Sequence, residues 1–216
     1  MSLRTALFAI SVFTASSCAK GCASPKTTAP AAPKCPTEVL IARHIDKPPT
    51  LDGEGEEKAW LDANPTPAYA FGDGGVGRPH TETRATWNGS ALYLLFYAGD
   101  EDLEEDDYMG AELIGGNGKP VSFKVSPNGR IDGPIEIQAG IDHDGTVADA
   151  GDDDEEWLVE AAVPWSLLGK ADEVKVRFSR ADKPKDAAKR TLVWPAPCTG
   201  SDGFGVIRLQ APAKVP

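Results

Sequence analysis

Long hydrophobic runs are scarce in this sequence. The apolar run near the start, Ala6 to Val12, is too short to span a bilayer stably. Positive charge is scarce too: 22 Lys and Arg stand against 33 Asp and Glu, a net charge of −11. That argues against nucleic acid, whose binding needs Lys and Arg to neutralise phosphates. It also argues against an electrostatic hold on anionic lipid. A neutral ligand or a cation is the easier partner. The three histidines, His44, His80 and His143, are isolated from one another. Cys22, Cys35 and Cys198 have no close spacing, which disfavours a zinc site. Nucleophile-elbow, phosphate-loop and zinc-protease motifs are missing, and so are internal repeats and long helical patterns.

What is there begins with an export signal. Met1 to Arg4 is a short basic start, followed by the apolar run and then by Ala15-Ser16-Ser17-Cys18. Small residues before a cysteine resemble a bacterial lipoprotein processing site. The resemblance implies cleavage after residue 17 and lipidation of Cys18, although Ala15 stands where Leu is usual. Cleavage nearby with simple secretion is the alternative. Ala19 and Lys20 after Cys18, rather than Asp, resemble the sorting pattern for the outer membrane. Residues 18–37 are rich in Pro, Ala and Thr and form no core, so they read as an extended spacer. The organisation expected is signal peptide 1–17, tether 18–37 and a folded domain 38–212. Export favours disulfides. With Cys22 in the tether, Cys35–Cys198 is the favoured pair, and Cys22–Cys35 is the rival.

From Glu38 the pattern is mostly strand. EVLIARH (38–44) is a first strand, and Glu54 to Ala63 a short helix. Thr81 to Trp87 alternates, and Asn88-Gly89 gives a hairpin turn into Ala91 to Ala98. That last segment is apolar on both faces, so it reads as a central strand covered on both sides. Tyr108–Ile114, Val121–Val125, Ile135–Ile141, Trp157–Val163, Val174–Ser179, Leu192–Trp194 and Phe204–Leu209 complete about ten strands. Pro164 opens a helical turn that Gly169 ends. The fold class is all-β: an antiparallel, jelly-roll-like β-sandwich with short helical turns.

Six phrases in this order carry a resemblance. They are Leu51-Asp52-Gly53 with Trp60, Trp87 with Leu92-Tyr93, Asp100 to Leu103, Glu112, Trp157 to Trp165, and Phe204-Gly205. Together they resemble carbohydrate-binding module family 9, over residues 38–210. The resemblance implies a sugar held by a carboxylate at Glu112, by a cation at Lys124, where the family has arginine, and by a polar group at Ser179. The family's two sugar-stacking tryptophans fall near Asp106 or Asp107, with Tyr108 the nearest aromatic, and around Cys198. All five tryptophans of this chain match scaffold positions instead.

The resemblance therefore implies a non-catalytic domain that binds a glycan or polysaccharide at the cell envelope, as a monomer, with an accessory role beside a partner glycoside hydrolase. It also implies structural calcium. Seven acids fall in the eight residues Asp100 to Asp107, and five run from Asp152 to Glu156. Calcium is a hard cation that takes several oxygen ligands, and Asp100 and Asp102 are its candidates. The solvated acidic loop is the plainer reading of both runs. Asp142-His143-Asp144-Gly145 fails as an EF-hand, because glycines fall at loop positions one and twelve. Glu112, Glu136 and Glu160 lie on expected strands and are the carboxylates from which a glycosidase pair would be drawn. Related sandwiches bind haem, which here would use Met109 with Lys124 or a histidine. A third alternative is a degenerate sandwich that contacts another envelope protein.

Overall fold

The computed structural model describes residues 35–149, 151, 154–184 and 187–212. Cys18, Cys22, the expected signal and most of the expected tether lie outside the described residues. The strands are β1 (Val39–His44), β2 (Ala70–Phe71), β3 (Thr81–Trp87), β4 (Ala91–Gly99), β5 (Tyr108–Ile114), β6 (Pro120–Val125), β7 (Ile131–Asp132), β8 (Gln138–His143), β9 (Glu156–Pro164), β10 (Glu173–Asp182), β11 (Arg190–Trp194) and β12 (Gly205–Leu209). Two helical turns, α1 (Lys58–Leu61) and α2 (Trp165–Leu168), are the helices among the described residues.

The strands form two layers that share β1. One layer runs β7-β6-β5-β10-β12-β1, with β11 on β10 and β2 on β11; the other runs β1-β3-β4-β9-β8. Val39 to Ala42 pair with β12, and Arg43 and His44 pair with β3. Both of these ladders are parallel, which corrects the expectation of a wholly antiparallel sandwich. Hairpins make antiparallel neighbours, but β1 meets β3 and β12 through long connections, where direction is free. Side-chain alternation carries no signal of strand direction, so the sequence pattern could not reveal this.

Alternation explains the core. In β10, Val174, Val176 and Phe178 face inward while Glu173, Lys175 and Arg177 face out. Phe96 packs edge-on against Phe178, with ring centres 5.5 Å apart, and Phe178 stacks on Trp194 at 5.6 Å. All five tryptophans are buried, so none offers a ring face to solvent. β4 is buried on both faces, as its sequence requires: Leu92, Leu94 and Phe96 join the main core, while Ala91, Tyr93 and Leu95 lie under Trp60, Ile45 and Leu51. The segment 45–63 thus covers the outer face of the second layer. It crosses β8 so closely that a Cβ on Gly140 would stand 2.1 Å from the carbonyl oxygen of Leu51. The helix expected over Glu54–Ala63 shrinks to α1, because Gly53 (φ 90°) and Gly55 (φ 66°) hold the preceding chain in a left-handed loop. The strand expected from Ile135 starts at Gln138, since Ile137 donates back to Pro134 in a turn.

Inward alternation in β10 ends on a charge. Arg180 is fully buried. Its Nη1 donates to Thr81 Oγ1 (2.9 Å) and to the Gly99 carbonyl (2.7 Å), and its Nη2 to Asp100 (2.8 Å) and Asp182 (2.7 Å). Arg180 and Asp182 belong to one layer, Thr81 and Gly99 to the other, so the network ties the layers at one end. Asp107 is buried nearby. Its Oδ2 accepts from the Glu104 amide (3.0 Å), while its Oδ1 has no partner among the described residues. Burial, reinforced by Asp100 and Asp182, pushes the Asp107 carboxyl up to about 7.

The structure joins Cys35 to Cys198, with Cα atoms 6.0 Å apart and a sequence separation of 163. The bridge stands just ahead of β1 and in the loop before β12, its ladder neighbour.

Replacing Cys198 with Ser is expected to lower stability by about 2–5 kcal/mol. In a thermal melt that is a fall in Tm of about 5–15 °C, and reductant should bring the parent to the same value. Asp107 gives a pH signature. Between about pH 4 and pH 7 the unfolded chain has released this proton and the folded chain still holds it, so the contribution of Asp107 falls as pH rises through that window. Asp107→Asn, the neutral isostere, should therefore raise Tm at pH 8 by roughly 3 °C or more and narrow the difference between pH 5.5 and pH 8.

Candidate functional site

The outward residues of β5, β6 and β10 build a cleft of about 380 Å³. Strand register sets its rows. Arg177, Glu112 and Ser122 stand abreast, and the next row is Ser179, Gly110, Lys124 and Asp132. Gly110 makes the depression: a Cβ there would lie 2.9 Å from the Phe123 carbonyl oxygen and 3.3 Å from Ser179 Oγ. Arg177 Nη2 donates to Glu112 Oε2 in a tight ion pair. An aromatic ring flanks each end, and each carries a cation. Lys124 Nζ sits 4.2 Å from the ring centre of Tyr108, and Arg177 Cζ sits 5.1 Å from that of Phe204. Such contacts are worth about 0.5–1 kcal/mol where solvent reaches them, and they hold the two cations in place.

The chemistry of the cleft is balanced. Two carboxylates, Glu112 and Asp132, face two cations, Lys124 and Arg177, with the hydroxyls of Ser122 and Ser179 between them. A site of no net charge attracts neither phosphate nor metal strongly. It offers donors and acceptors in alternation, which suits a neutral ligand carrying several hydroxyl groups. Its volume is at the small end of ligand clefts, which run from about 300 to 1,000 Å³. A larger groove of about 540 Å³ lies between Pro48, Pro49 and the outer face of the second layer. Its lining is mainly apolar, with Ser90, Gln138 and Glu136 the polar groups, and it has no cation to donate in a fixed direction.

The four residues expected to hold a sugar, Glu112, Lys124, Tyr108 and Ser179, fall on one surface, the first and last two in adjacent strands. Arg177, Ser122 and Asp132 are additions. Arg177 supplies the planar fork that Lys124 lacks. Its signal was the outward alternation Lys175, Arg177, Ser179, but only strand pairing puts Arg177 beside Glu112.

Other expectations separate. Both oxygens of Asp100 are engaged, Oδ2 by Arg180 (2.8 Å) and Oδ1 by the Asp102 amide (3.2 Å), and a guanidinium at that distance repels a cation. Asp100 and Asp102 therefore do not fit a calcium site. The haem pairing of Met109 with Lys124 fails on direction. Met109 is buried in the core, whereas Lys124 pairs with Gly110 and points outward, so the two cannot ligate one iron. The three glutamates weighed for hydrolysis do not meet: Glu112 is on one layer, Glu136 precedes β8 of the other, and Glu160 is buried. Glu160 Oε2 accepts from the amides of Asp52 and Gly53, each at 3.0 Å.

No family model matches the sequence, and no curated protein matches it. Solved structures do match. A carbohydrate-binding module family 9 from Caldicellulosiruptor kristjanssonii, in complex with cellotriose, is similar with a TM-score of 0.62 and 16% identity, covering 83% of this chain and 98% of that one. The family 9 module from the same organism in complex with glucose gives a TM-score of 0.60 and 15% identity, covering 82% and 98%. This protein has a β-sandwich fold like that of carbohydrate-binding module family 9.

Proposed function

We propose that this protein is a non-catalytic carbohydrate-binding domain whose ligand sits in the cleft over Gly110. One observation carries the reading: a balanced set of donors and acceptors, with Arg177 and Glu112 already fixed by their ion pair, lines a ligand-sized depression on a fold whose solved relatives hold cellotriose and glucose. In this reading Glu112 accepts from sugar hydroxyls, Arg177 and Lys124 donate to them, and Ser122 and Ser179 do either. Tyr108 and Phe204 give the ring edges an apolar border. Both stacking tryptophans of the family are missing, so hydrogen bonding has to supply most of the affinity. A short, soluble saccharide or a chain end fits such a site better than the flat face of a crystalline polymer, which needs exposed ring platforms.

The sequence ahead of the domain supports a wider setting. An export signal, a lipidated Cys18 and a Pro-rich tether would hold a monomeric domain off the outer membrane and present the cleft to glycans at the envelope, beside a glycoside hydrolase that does the cutting.

Titration calorimetry of the protein with glucose and cello-oligosaccharides, and sedimentation with insoluble glycans, are the measurements. Arg177→Ala and Glu112→Ala should each weaken binding by about 10- to 100-fold, the worth of a charge-assisted hydrogen bond, with little change in Tm because both side chains stand at the surface. Saccharide binding that survives both substitutions would sink the assignment of the cleft.

A further inference from the structure

The geometry points to a calcium site formed by Asp52, Glu57 and Glu160, which staples the covering segment 45–63 onto the second layer. Each of these carboxylates offers an oxygen, and the three oxygens lie within 4.8 Å of one another. An ion at the centre of oxygens so spaced lies no more than about 2.8 Å from each, close to the calcium–oxygen distance of about 2.3–2.6 Å.

Acidic clusters are common on surfaces, but this one is not a surface cluster throughout. Glu160 is completely buried, in the sheet beneath the segment. Its Oε2 holds the amides of Asp52 and Gly53, while its Oε1 is out of contact with solvent and has no partner. Glu57 repeats the pattern. Its Oε1 accepts from the Thr50 amide (2.9 Å), and its Oε2 is buried without a partner. The fully buried Glu160 and the half-buried Glu57 are thus each held by backbone amides at one oxygen, with the other oxygen out of solvent and bare. Among the described residues, no Lys, Arg or His pairs with any of the three acids. An uncompensated buried carboxylate costs several kcal/mol, so something positive is called for. A cation satisfies all three acids at once. Asp52 is exposed, which leaves the ion an approach and room for the water ligands that complete a calcium shell. Magnesium fits less well, because it demands near-ideal octahedral geometry at shorter distance.

The site is remote in role from the cleft. It joins a loop to β9 in the second layer and shares no residue with the saccharide surface, so its test stands apart from that reading.

The full chain, treated with chelator and passed into chelator-free buffer at pH 7, is titrated with calcium chloride by calorimetry and melted with and without calcium. At a hundredfold excess over its Kd, calcium should raise Tm by about 5–10 °C, and magnesium by much less. Asp52→Asn and Glu57→Gln should each weaken calcium binding about tenfold or more, while Asp102→Asn leaves it unchanged. In chelator, Glu57→Gln should melt above the parent, because it removes one of the repelling charges; this reads the site even without metal. A parent whose Tm ignores calcium overturns the proposal and leaves a shared proton in its place. So does a calcium response that Asp52→Asn and Glu57→Gln preserve or that Asp102→Asn abolishes.

Discussion

Arg180 is the group on which the arrangement of this sandwich turns. A buried guanidinium must spend its donors on fixed acceptors, and this one reaches Thr81 and the Gly99 carbonyl across the core and Asp100 and Asp182 beside it. Strand side chains alternate, so a slip of one residue in β10 would turn Arg180 out and Arg177 in. The first change would strand Asp100 as a buried charge without its partner, a cost of several kcal/mol. The network therefore pins the register of β10. That same register aims Arg177 and Ser179 into the cleft on the opposite face. A stability device inside the sandwich and the lining of the cleft outside it are alternate residues of one strand.

Much of the fold was legible. The apolar stretch from Ala91, buried on both faces, declared a central strand, and the Asn88 turn before it was equally plain. In the structure Asn88 Oδ1 accepts from the amides of Ser90 and Ala91, so the side chain builds the turn itself. The tryptophans were also readable as scaffold, and their burial follows. What stayed hidden depends on pairing between distant segments. The parallel ladders of β1 have no local signature. The two-residue strands β2 and β7 are too short to show alternation. The left-handed glycines that cut α1 short sit before a pattern that otherwise favours helix.

The site divides along the same line. Glu112, Lys124, Tyr108 and Ser179 came from motif position, and the sheet gathers them. Arg177 was missed because its partner is 65 residues away and only the β5–β10 ladder joins them. The acidic loop illustrates the opposite error. A run of carboxylates looks like a cation site in sequence, yet Asp100 serves an arginine and Asp154 serves the backbone, accepting from the Leu103 amide at 2.7 Å and the Thr146 amide at 3.1 Å. The carboxylates that do converge, Asp52, Glu57 and Glu160, are scattered over more than a hundred residues and form no run at all.

The bridge between Cys35 and Cys198 has a mechanical meaning. β1 belongs to both layers, so peeling it away would open the sandwich along its seam. A pull on the chain ahead of Cys35 does not fall on β1 alone. It splits at the sulfur, one branch following the backbone into β1 and the other crossing to the loop between β11 and β12. Those two branches end in paired, parallel strands that are drawn the same way, so the load slides the ladder as a whole instead of opening it bond by bond. A load entering at Cys35 is therefore shared between two strands from the outset.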